Sequence, residues 1–232
     1  MTMMKKIGVY ILGLFVLAFG ITVSVKSNLG VSPVSSLPYV LSRIVDLEMG
    51  YFTMMVFISF IVVQLLVLRR EFRIVSSVQI LVSIAFGYFV NLSNFLMRAF
   101  ETPDAMVLRL MLAVSSAALC GLGIFLYISP RIMPLPGEGL TEALSYKTGK
   151  PFSRIKVYFD LTMVVLSLGF SLGFLGRVDG VGIGTLISAL LIGKFVGIFM
   201  GLLKEKMQGF LGSPAPLLAS AKKVVVKRSP GQ

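Results

Sequence analysis

The chain has 232 residues, of which 56% are hydrophobic and only 14% are charged, whereas about 25% of the residues in an ordinary soluble domain are charged. This composition and a mean hydropathy of +0.92 exclude a soluble globular protein. The formal net charge of +12 would suggest nucleic-acid binding in a soluble protein, but its distribution here indicates membrane topology, so no nucleic-acid partner is expected. Because the chain has no histidine, Cys/His metal sites and His-dependent triads are excluded. We expect no cofactor and no enzymatic activity, with a carboxylate-only metal site as the remaining exception.

Six apolar stretches are each long enough to cross about 30 Å of hydrocarbon, which takes about 17–25 helical residues. They are Ile7–Val25, Gly50–Leu68, Ile74–Met97, Ala105–Ile128, Val157–Leu175 and Gly184–Leu203. None has the alternating pattern of barrel strands, so we predict an all-α protein with six transmembrane helices and the lipid bilayer as its partner. Lys5 and Lys6 precede the first stretch as in a signal peptide, but the stretch is too long for one and no A-x-A-like cleavage site follows. We therefore predict an uncleaved first helix.

The basic residues follow the positive-inside rule. With six spans, one side of the membrane receives most of the Lys and Arg residues, and Lys194 falls inside the last span. The other side receives only Lys26, Arg43, Arg98, Arg109 and Arg177. We therefore predict a multi-pass protein of the bacterial inner membrane with both termini in the cytoplasm. Residues 1–211 would form a single membrane domain, and residues 212–232 a disordered basic cytoplasmic tail.

The second half of the chain resembles the first. The residues Gly20-Ile21, Pro33, Leu37 and Leu41-Ser42 recur as Gly123-Ile124, Pro136, Leu140 and Leu144-Ser145, and Gly87-Tyr88-Phe89-Val90 recurs as Gly193-Lys194-Phe195-Val196. We therefore predict two repeats, about 7–97 and 105–203, with three helices each. Because three crossings are an odd number, the second repeat would be inverted relative to the first, an arrangement common in transporters.

Two long connections, after the first and the fourth span, share a pattern of Ser, Gly and Pro followed by a short run that could be helical. The first contains Ser32 and Pro33, and the second contains Pro136. Both are too short and polar to span the membrane and too apolar for an exposed loop. They are either broken, re-entrant helices that dip toward a shared cavity, since such backbone is tolerated only where protein or water covers it, or amphipathic connectors on the headgroups.

Two ionisable residues, Asp160 and Lys194, lie inside predicted spans. A charge in the hydrocarbon costs roughly 2.5–3.5 kcal/mol on insertion scales, so it is expected to face a cavity or a partner. The short connection between spans 5 and 6 predicts that these helices pack together and that Asp160 pairs with Lys194. The pair would be either a substrate or proton site or a neutralising structural ion pair.

Other polar residues are candidates for binding a small solute. Glu138 and Glu142 would share a helix face and act as coupling carboxylates, or they are solvated surface charges. Gln79 and Asn91 add amide groups to span 3, which could bind a polar ligand or hold helices together.

Small residues recur every four positions on two spans, a spacing that lets helix backbones approach closely. They are Ser83 and Gly87 on span 3 and Gly193, Gly197 and Gly201 on span 6. We predict that spans 3 and 6 are close-packed central helices, one from each repeat. A homodimer interface is the competing interpretation.

The order of these motifs resembles the YczE/YyaS/YitT-like group of bacterial integral membrane proteins. The residues that carry the resemblance are Gly30-Val31-Ser32-Pro33, Pro136-Gly137-Glu138-Gly139-Leu140, the series Arg154, Lys156 and Asp160, and Gly182-Ile183-Gly184-Thr185. The resemblance covers nearly the whole chain before the tail. It implies the fold and the membrane class, and it brings no settled biochemical activity.

These observations together predict a transporter of an unknown small solute or ion, which works by rocking one repeat against the other. The alternative is a non-transporting accessory or scaffold protein that assists a partner through its basic cytoplasmic face.

Overall fold

A computed structural model describes residues 2–72 and 77–212. Residues 73–76, and the predicted tail from residue 213 onward, lie outside the described residues. The regular secondary structure of the described part consists of helices. The main helices are α1 (Thr2–Ser27), α2 (Pro33–Val45), α3 (Met49–Leu68), α4 (Val78–Leu96), α5 (Met106–Ile128), α6 (Pro136–Thr148), α7 (Phe152–Phe170) and α8 (Ile183–Leu211).

Six of these helices are long and apolar enough to cross a membrane: α1, α3, α4, α5, α7 and α8. A 3₁₀ turn, Arg69–Glu71, extends α3, and a π-type turn, Ser171–Leu175, extends α7. The prediction of an all-α protein with six apolar spans is confirmed. The remaining two helices, α2 and α6, have 13 residues each and follow the first and the fourth span.

Two helices are longer than the hydropathy pattern predicts. Helix α7 begins at Phe152 rather than Val157, and α8 continues beyond Leu203 to Leu211. The added residues include Lys, Arg and Glu, which are good helix formers although they end an apolar stretch. Hydropathy therefore locates the apolar part of each helix rather than its ends.

The longest interface joins α1 to α5, and small residues bring the two backbones close together. A Cβ atom built on Gly13 would lie 2.3 Å from the backbone nitrogen of Tyr127, and one built on Gly20 would lie 2.8 Å from the backbone nitrogen of Cys120. As the residue number rises along α1, the number of the contacting residue falls along α5. The two helices are therefore antiparallel.

The two ends of the helix bundle can be assigned from contacts. Lys5 Nζ lies 4.9 Å from the centroid of the Phe210 ring, so the beginning of α1 and the end of α8 share one end, here called the termini end. At the opposite end, called the loop end, the α7–α8 connection lies on the turn after α1. Gly184 N donates a hydrogen bond to Leu29 O at 2.7 Å there.

Consecutive helices α7 and α8 do not pack along each other in the described part of the chain, which contradicts the prediction for spans 5 and 6. Helix α7 packs against α2 and α6, whereas α8 packs against α5 and, less extensively, against α1. The connection between them is held on the turn after α1, since Val31 N donates a 3.0 Å hydrogen bond to Gly180 O. That attachment directs α8 toward α5 and away from α7.

The prediction that spans 3 and 6 form a close-packed central pair is also wrong. Gly193, Gly197 and Gly201 are exposed on α8, and a Cβ atom built on any of them meets no described atom within 4 Å. The central contact is made by α1 and α5, which leaves the glycine row of α8 facing outward. Its use as a homodimer interface stays a prediction.

The small residues of α4 do pack closely, but against the neighbouring α3. A Cβ atom built on Gly87 would lie 2.4 Å from Met54 Cγ and 2.6 Å from Gly50 O. Ser83 is fully buried and donates its hydroxyl proton to Gln79 O at 2.7 Å. This stripe therefore holds a hairpin together within the first half of the chain.

Candidate functional site

The first turns of the two short helices, α2 and α6, meet inside the bundle. Both helices have proline near their start, at Pro33 and Pro136, where the missing N–H group of proline leaves no hydrogen bond unmade. A Cβ atom built on Gly137 would lie 3.6 Å from Val34 Cγ1 and 3.8 Å from Phe159 Cε1. We call this meeting point the helix-start junction.

Contacts with α7 give the position of the junction along the bundle. Phe159 lies beside Gly137 at the start of α6. The Oγ atoms of Ser36 in α2 and Ser167 in α7 lie 2.7 Å apart, and both side chains are fully buried. Phe159 and Ser167 stand on either side of the middle of the span Phe152–Leu175, about 12 Å apart at 1.5 Å per residue. The first turns of α2 and α6 therefore lie beside the middle of α7.

Two buried glutamines hold the segment that leads into α6. Gln64 Nε2 donates to Pro136 O at 3.2 Å, and Gln79 Nε2 donates to Pro134 O at 3.1 Å. Both side chains are fully buried, and their Oε1 atoms have no hydrogen-bond partner in the described part of the chain. A Cβ atom on Gly139 would lie 2.7 Å from Gln79 Nε2 and 2.8 Å from Gln64 Oε1, so only glycine fits between the two amides.

Gln79 was predicted as a candidate residue, whereas Gln64 was missed. The signal in the sequence was the amide of Gln64 within an otherwise apolar stretch, and a buried polar group of this kind normally finds a hydrogen-bond partner. The structure brings the two glutamines together at the start of α6, although they belong to different spans.

Glu138, in the first turn of α6, is half-buried and lies near three further polar side chains. These are Tyr127 on α5 and Lys156 and Asp160 on α7. We call the four residues the Glu138 cluster. Burial raises the pKa of Glu138, while the charge of Lys156 and the Tyr127 phenol act in the opposite direction. The Tyr127 hydroxyl is buried and faces Glu138.

Asp160 pairs with Lys156, one helical turn earlier on α7, and the predicted pair with Lys194 is not formed. Lys194 is exposed on α8. The prediction failed because α8 lies on α5 rather than α7, and because an (i, i+4) partner on the same helix was available.

Glu142 lies one turn beyond Glu138 on α6 and is only 9% exposed. The interpretation of Glu142 as a solvated surface charge is therefore wrong. The surface charge of α6 lies further along, where Lys147 Nζ is 2.5 Å from Glu71 Oε2.

The remaining candidate residues are divided between the junction and the helix interfaces. Ser32 donates its hydroxyl proton to Ser35 Oγ at 3.0 Å, and Pro33 is buried beside them at the start of α2. Asn91 lies elsewhere, on α4, where its Oδ1 accepts a 2.7 Å hydrogen bond from Gly50 N. The structure therefore gives Asn91 a place in helix packing and does not bring it to the junction.

Comparison with known proteins gives one family and two relatives. The model of a family described as DUF6198, a family of unknown function, matches residues 4–201. The uncharacterised protein YyaS of Bacillus subtilis is 23% identical over 197 residues, which cover 84% of this chain and 92% of YyaS. The uncharacterised membrane protein YczE of the same organism is 25% identical over 185 residues, covering 79% of this chain and 80% of YczE. No solved structure matches. The predicted resemblance to a YczE/YyaS-like family is confirmed.

Proposed function

The chain belongs to the DUF6198 family, and we propose that it is a transporter of a small solute or ion, with its site between two inverted repeats. The observation that carries the proposal is the helix-start junction, where Val34 and Gly137 bring the first turns of α2 and α6 together beside the middle of α7. Inverted-repeat transporters place their sites near the midplane between the repeats, at interrupted helices.

Reciprocal contacts between α1 and α5 support the inverted repeats. The repeat alignment matches Gly20 with Gly123, and the same offset of 103 residues separates Leu17 from Cys120. A Cβ atom on Gly20 would meet Cys120 N at 2.8 Å, and one on Gly123 would meet Leu17 N at 2.5 Å. A two-fold axis produces this pattern, in which residue i contacts j and the equivalent of j contacts the equivalent of i.

The contacts of the short helices α2 and α6 follow the same reciprocal pattern. Ser36 of α2 contacts Ser167 of α7, and Gly139 of α6 contacts Gln64 of α3. The offset that relates Ser36 to Gly139 also relates Gln64 to Ser167. Each short helix therefore packs against the equivalent span of the other half, as an axis through the helix-start junction requires.

The lengths of α2 and α6 fit helices that enter the membrane halfway. Each has 13 residues, about 20 Å at 1.5 Å per residue, against about 15 Å for half of the hydrocarbon core. Helix α2 ends toward the loop end, where Arg43 Nε lies 3.7 Å from Asp179 Oδ2. Helix α6 ends toward the 3₁₀ turn after α3, where Lys147 meets Glu71. We therefore infer that both are re-entrant and point their partially positive N-termini at the junction.

Within this site, we assign the role of coupling carboxylate to Glu138. It lies in the first turn of α6, next to the junction, and burial raises its pKa, as is common for carboxyl groups at functional sites. Asp160 and Lys156, which pair on α7, would set the local charge along the route from the cytoplasm to Glu138. The polar part of the solute would be bound by the amide of Gln79, by the hydroxyl of Ser32 and by neighbouring hydroxyl groups.

A reversible cross-link between α2 and α6 tests the rocking mechanism. Because Cys120 is the only cysteine, the background Cys120→Ala allows Val34→Cys and Gly137→Cys to be introduced as the only thiols. A Cβ atom at position 137 would lie 3.6 Å from Val34 Cγ1, so the two introduced side chains would be in contact. Purified protein in liposomes would be supplied with a defined metabolite mixture, and uptake would be measured by mass spectrometry.

We expect uptake to stop on oxidation and to recover on reduction, while each single-cysteine variant remains active. Undiminished uptake by fully cross-linked protein would contradict rocking about the junction. If no solute or ion is taken up and a partner protein co-purifies in fixed proportion, the accessory-protein alternative is favoured instead.

We also propose that the protein lies in the bacterial inner membrane with both termini in the cytoplasm. The beginning of α1 and the end of α8 share one end of the bundle, and this end receives most of the basic residues. Reporters fused to the two termini should both give the cytoplasmic signal, and opposite signals would contradict this topology.

A further inference from the structure

Three basic side chains converge on one open cavity at the loop end of the bundle. They are Lys26 at the end of α1, Arg43 in α2 and Arg98 after α4. The cavity has a volume of about 320 Å³, which is the lower size range of small-molecule sites in proteins. Among the described residues, Asp46 is the one acidic residue that lines it.

This concentration of positive charge is unusual for its location. The loop end carries few basic residues, and three of them line this single cavity. Lys26 and Arg98 have no carboxylate within 4.0 Å in the described part of the chain, and the contact of Arg43 with Asp179 is shared with Arg177 at 3.6 Å. Within the lining the three basic residues therefore outnumber the acidic residue Asp46. Convergent charges of one sign in a cleft attract ligands of the opposite sign.

Neutral donors complete the lining. Asn94 accepts a 3.0 Å hydrogen bond from Thr22 Oγ1 through its Oδ1 atom, which leaves its amide N–H groups for a ligand. The Tyr39 side chain lies at the cavity, and burial, together with the nearby charge of Asp179, raises its pKa to about 12. The Tyr39 phenol shares a side-chain hydrogen bond with Asp179, so the amide of Asn94 is the neutral donor that is open to a ligand.

We propose that this cavity binds a small soluble anion that carries a carboxylate or phosphate group and enters from the loop end. Lys26, Arg43 and Arg98 supply the charge-assisted hydrogen bonds that such groups accept. The open cavity suits a free metabolite-sized anion, and the same chemistry would also suit an anionic lipid headgroup. Binding here does not depend on transport through the helix-start junction.

Isothermal titration of the full chain in a neutral detergent, with inorganic phosphate and with succinate, tests the proposal. We expect saturable binding of at least one of these anions. Lys26→Gln and Arg98→Gln should each weaken it roughly tenfold, as expected for the loss of one charge-assisted hydrogen bond. Asp46→Asn should strengthen it, because the only carboxylate of the lining is removed.

Arg109→Gln is the matched control, because Arg109 lies at the same end but bonds to Pro103 O outside the cavity; it should bind like the wild type. Equal binding by the wild type and the double variant Lys26→Gln/Arg98→Gln would overturn the proposal. A third arm compares nanodiscs of phosphatidylcholine with and without phosphatidylglycerol. Stabilisation by phosphatidylglycerol that the double variant loses, without binding of either soluble anion, would overturn the soluble-anion site and assign the cavity to a headgroup.

Discussion

The sulfur atom of Cys120 lies 4.0 Å from the backbone oxygen of Leu17, within the close contact between α1 and α5. Cys120 is only 3% exposed, and no other thiol exists in the chain. A fluorogenic maleimide can therefore react only when this interface opens. The thermal midpoint of that reaction measures the stability of the α1–α5 contact directly.

Gly123→Ala should destabilise the protein, because its Cβ atom would lie 2.5 Å from the backbone nitrogen of Leu17. Backbone atoms cannot move aside as a flexible side chain does, so α1 and α5 must separate. We expect a cost of about 1–3 kcal/mol, typical of overpacking, seen as a lower midpoint of the maleimide reaction.

Gly169→Ala is the control for this substitution. Gly169 is also helical, but an added Cβ atom meets nothing within 4 Å. Alanine is the better helix former by up to about 1 kcal/mol, so the midpoint should stay constant or rise. An equal decrease in both variants would mean that close approach of α1 and α5 is not the cause.

Glu138→Gln should remove a pH dependence of stability. Burial raises the pKa of Glu138 in the folded protein, above the value of about 4.3 for an unperturbed Glu. Folding then favours the protonated carboxyl group, so its contribution is complete below the unfolded pKa and is lost as the pH rises through the folded pKa. Glutamine mimics the protonated form and should stabilise the protein more at pH 8 than at pH 5.

Thermal unfolding followed by circular dichroism at the two pH values measures this difference. Glu48→Gln, at an exposed position before α3, is the matched control and should behave like the wild type. A stabilisation by Glu138→Gln that is larger at pH 5 than at pH 8 would contradict the prediction.

Lys194 and Asp160 should respond independently to substitution, since they do not form a pair. Lys194→Met removes an exposed charge from a span, where charges cost roughly 2.5–3.5 kcal/mol, and should preserve or raise the yield of folded protein. Asp160→Asn leaves Lys156 without its partner and should lower stability by up to about 1 kcal/mol.

The double variant Lys194→Met/Asp160→Asn tests whether the two residues interact. The two changes in the maleimide midpoint should add, as they do for separate sites. If the two changes clearly do not add, Asp160 and Lys194 interact with each other, as the sequence predicted.

The outward-facing glycines of α8 predict that a second copy of the chain packs there. Gly197→Cys in the Cys120→Ala background should form a disulfide-linked dimer in membranes, because glycines spaced by four residues allow close helix contact. Gly169→Cys, at another exposed glycine on α7, should remain monomeric. Equal dimer formation by both variants on a non-reducing gel would indicate random collision instead.

Much of the fold could be predicted because lipid imposes simple rules on a sequence. An apolar stretch of sufficient length gives a span, and Pro33 and Pro136 after a span indicate where a short helix starts. These features depend on a few neighbouring residues. The six spans and the two short helices follow from them.

The partners of each helix could not be predicted in the same way. The sequence favoured a pair of α7 and α8 because their connection is short, but a hydrogen bond from Gly184 to Leu29 attaches that connection to the turn after α1 instead. Gln64 was missed for a related reason: its partner, the carbonyl of Pro136, lies 72 residues away in the chain. Contacts of that range leave little trace in a single sequence.

The crossed contacts of the short helices have a consequence for biosynthesis. Helix α2 packs on both α3 and α7, so a chain that has been made only as far as α4 already holds α3 beside α2 but still lacks α7. Until α7 has been made, Ser36 has no Ser167 hydroxyl to contact. A chain divided between α4 and α5 would therefore regain this contact only if the two fragments assemble with each other.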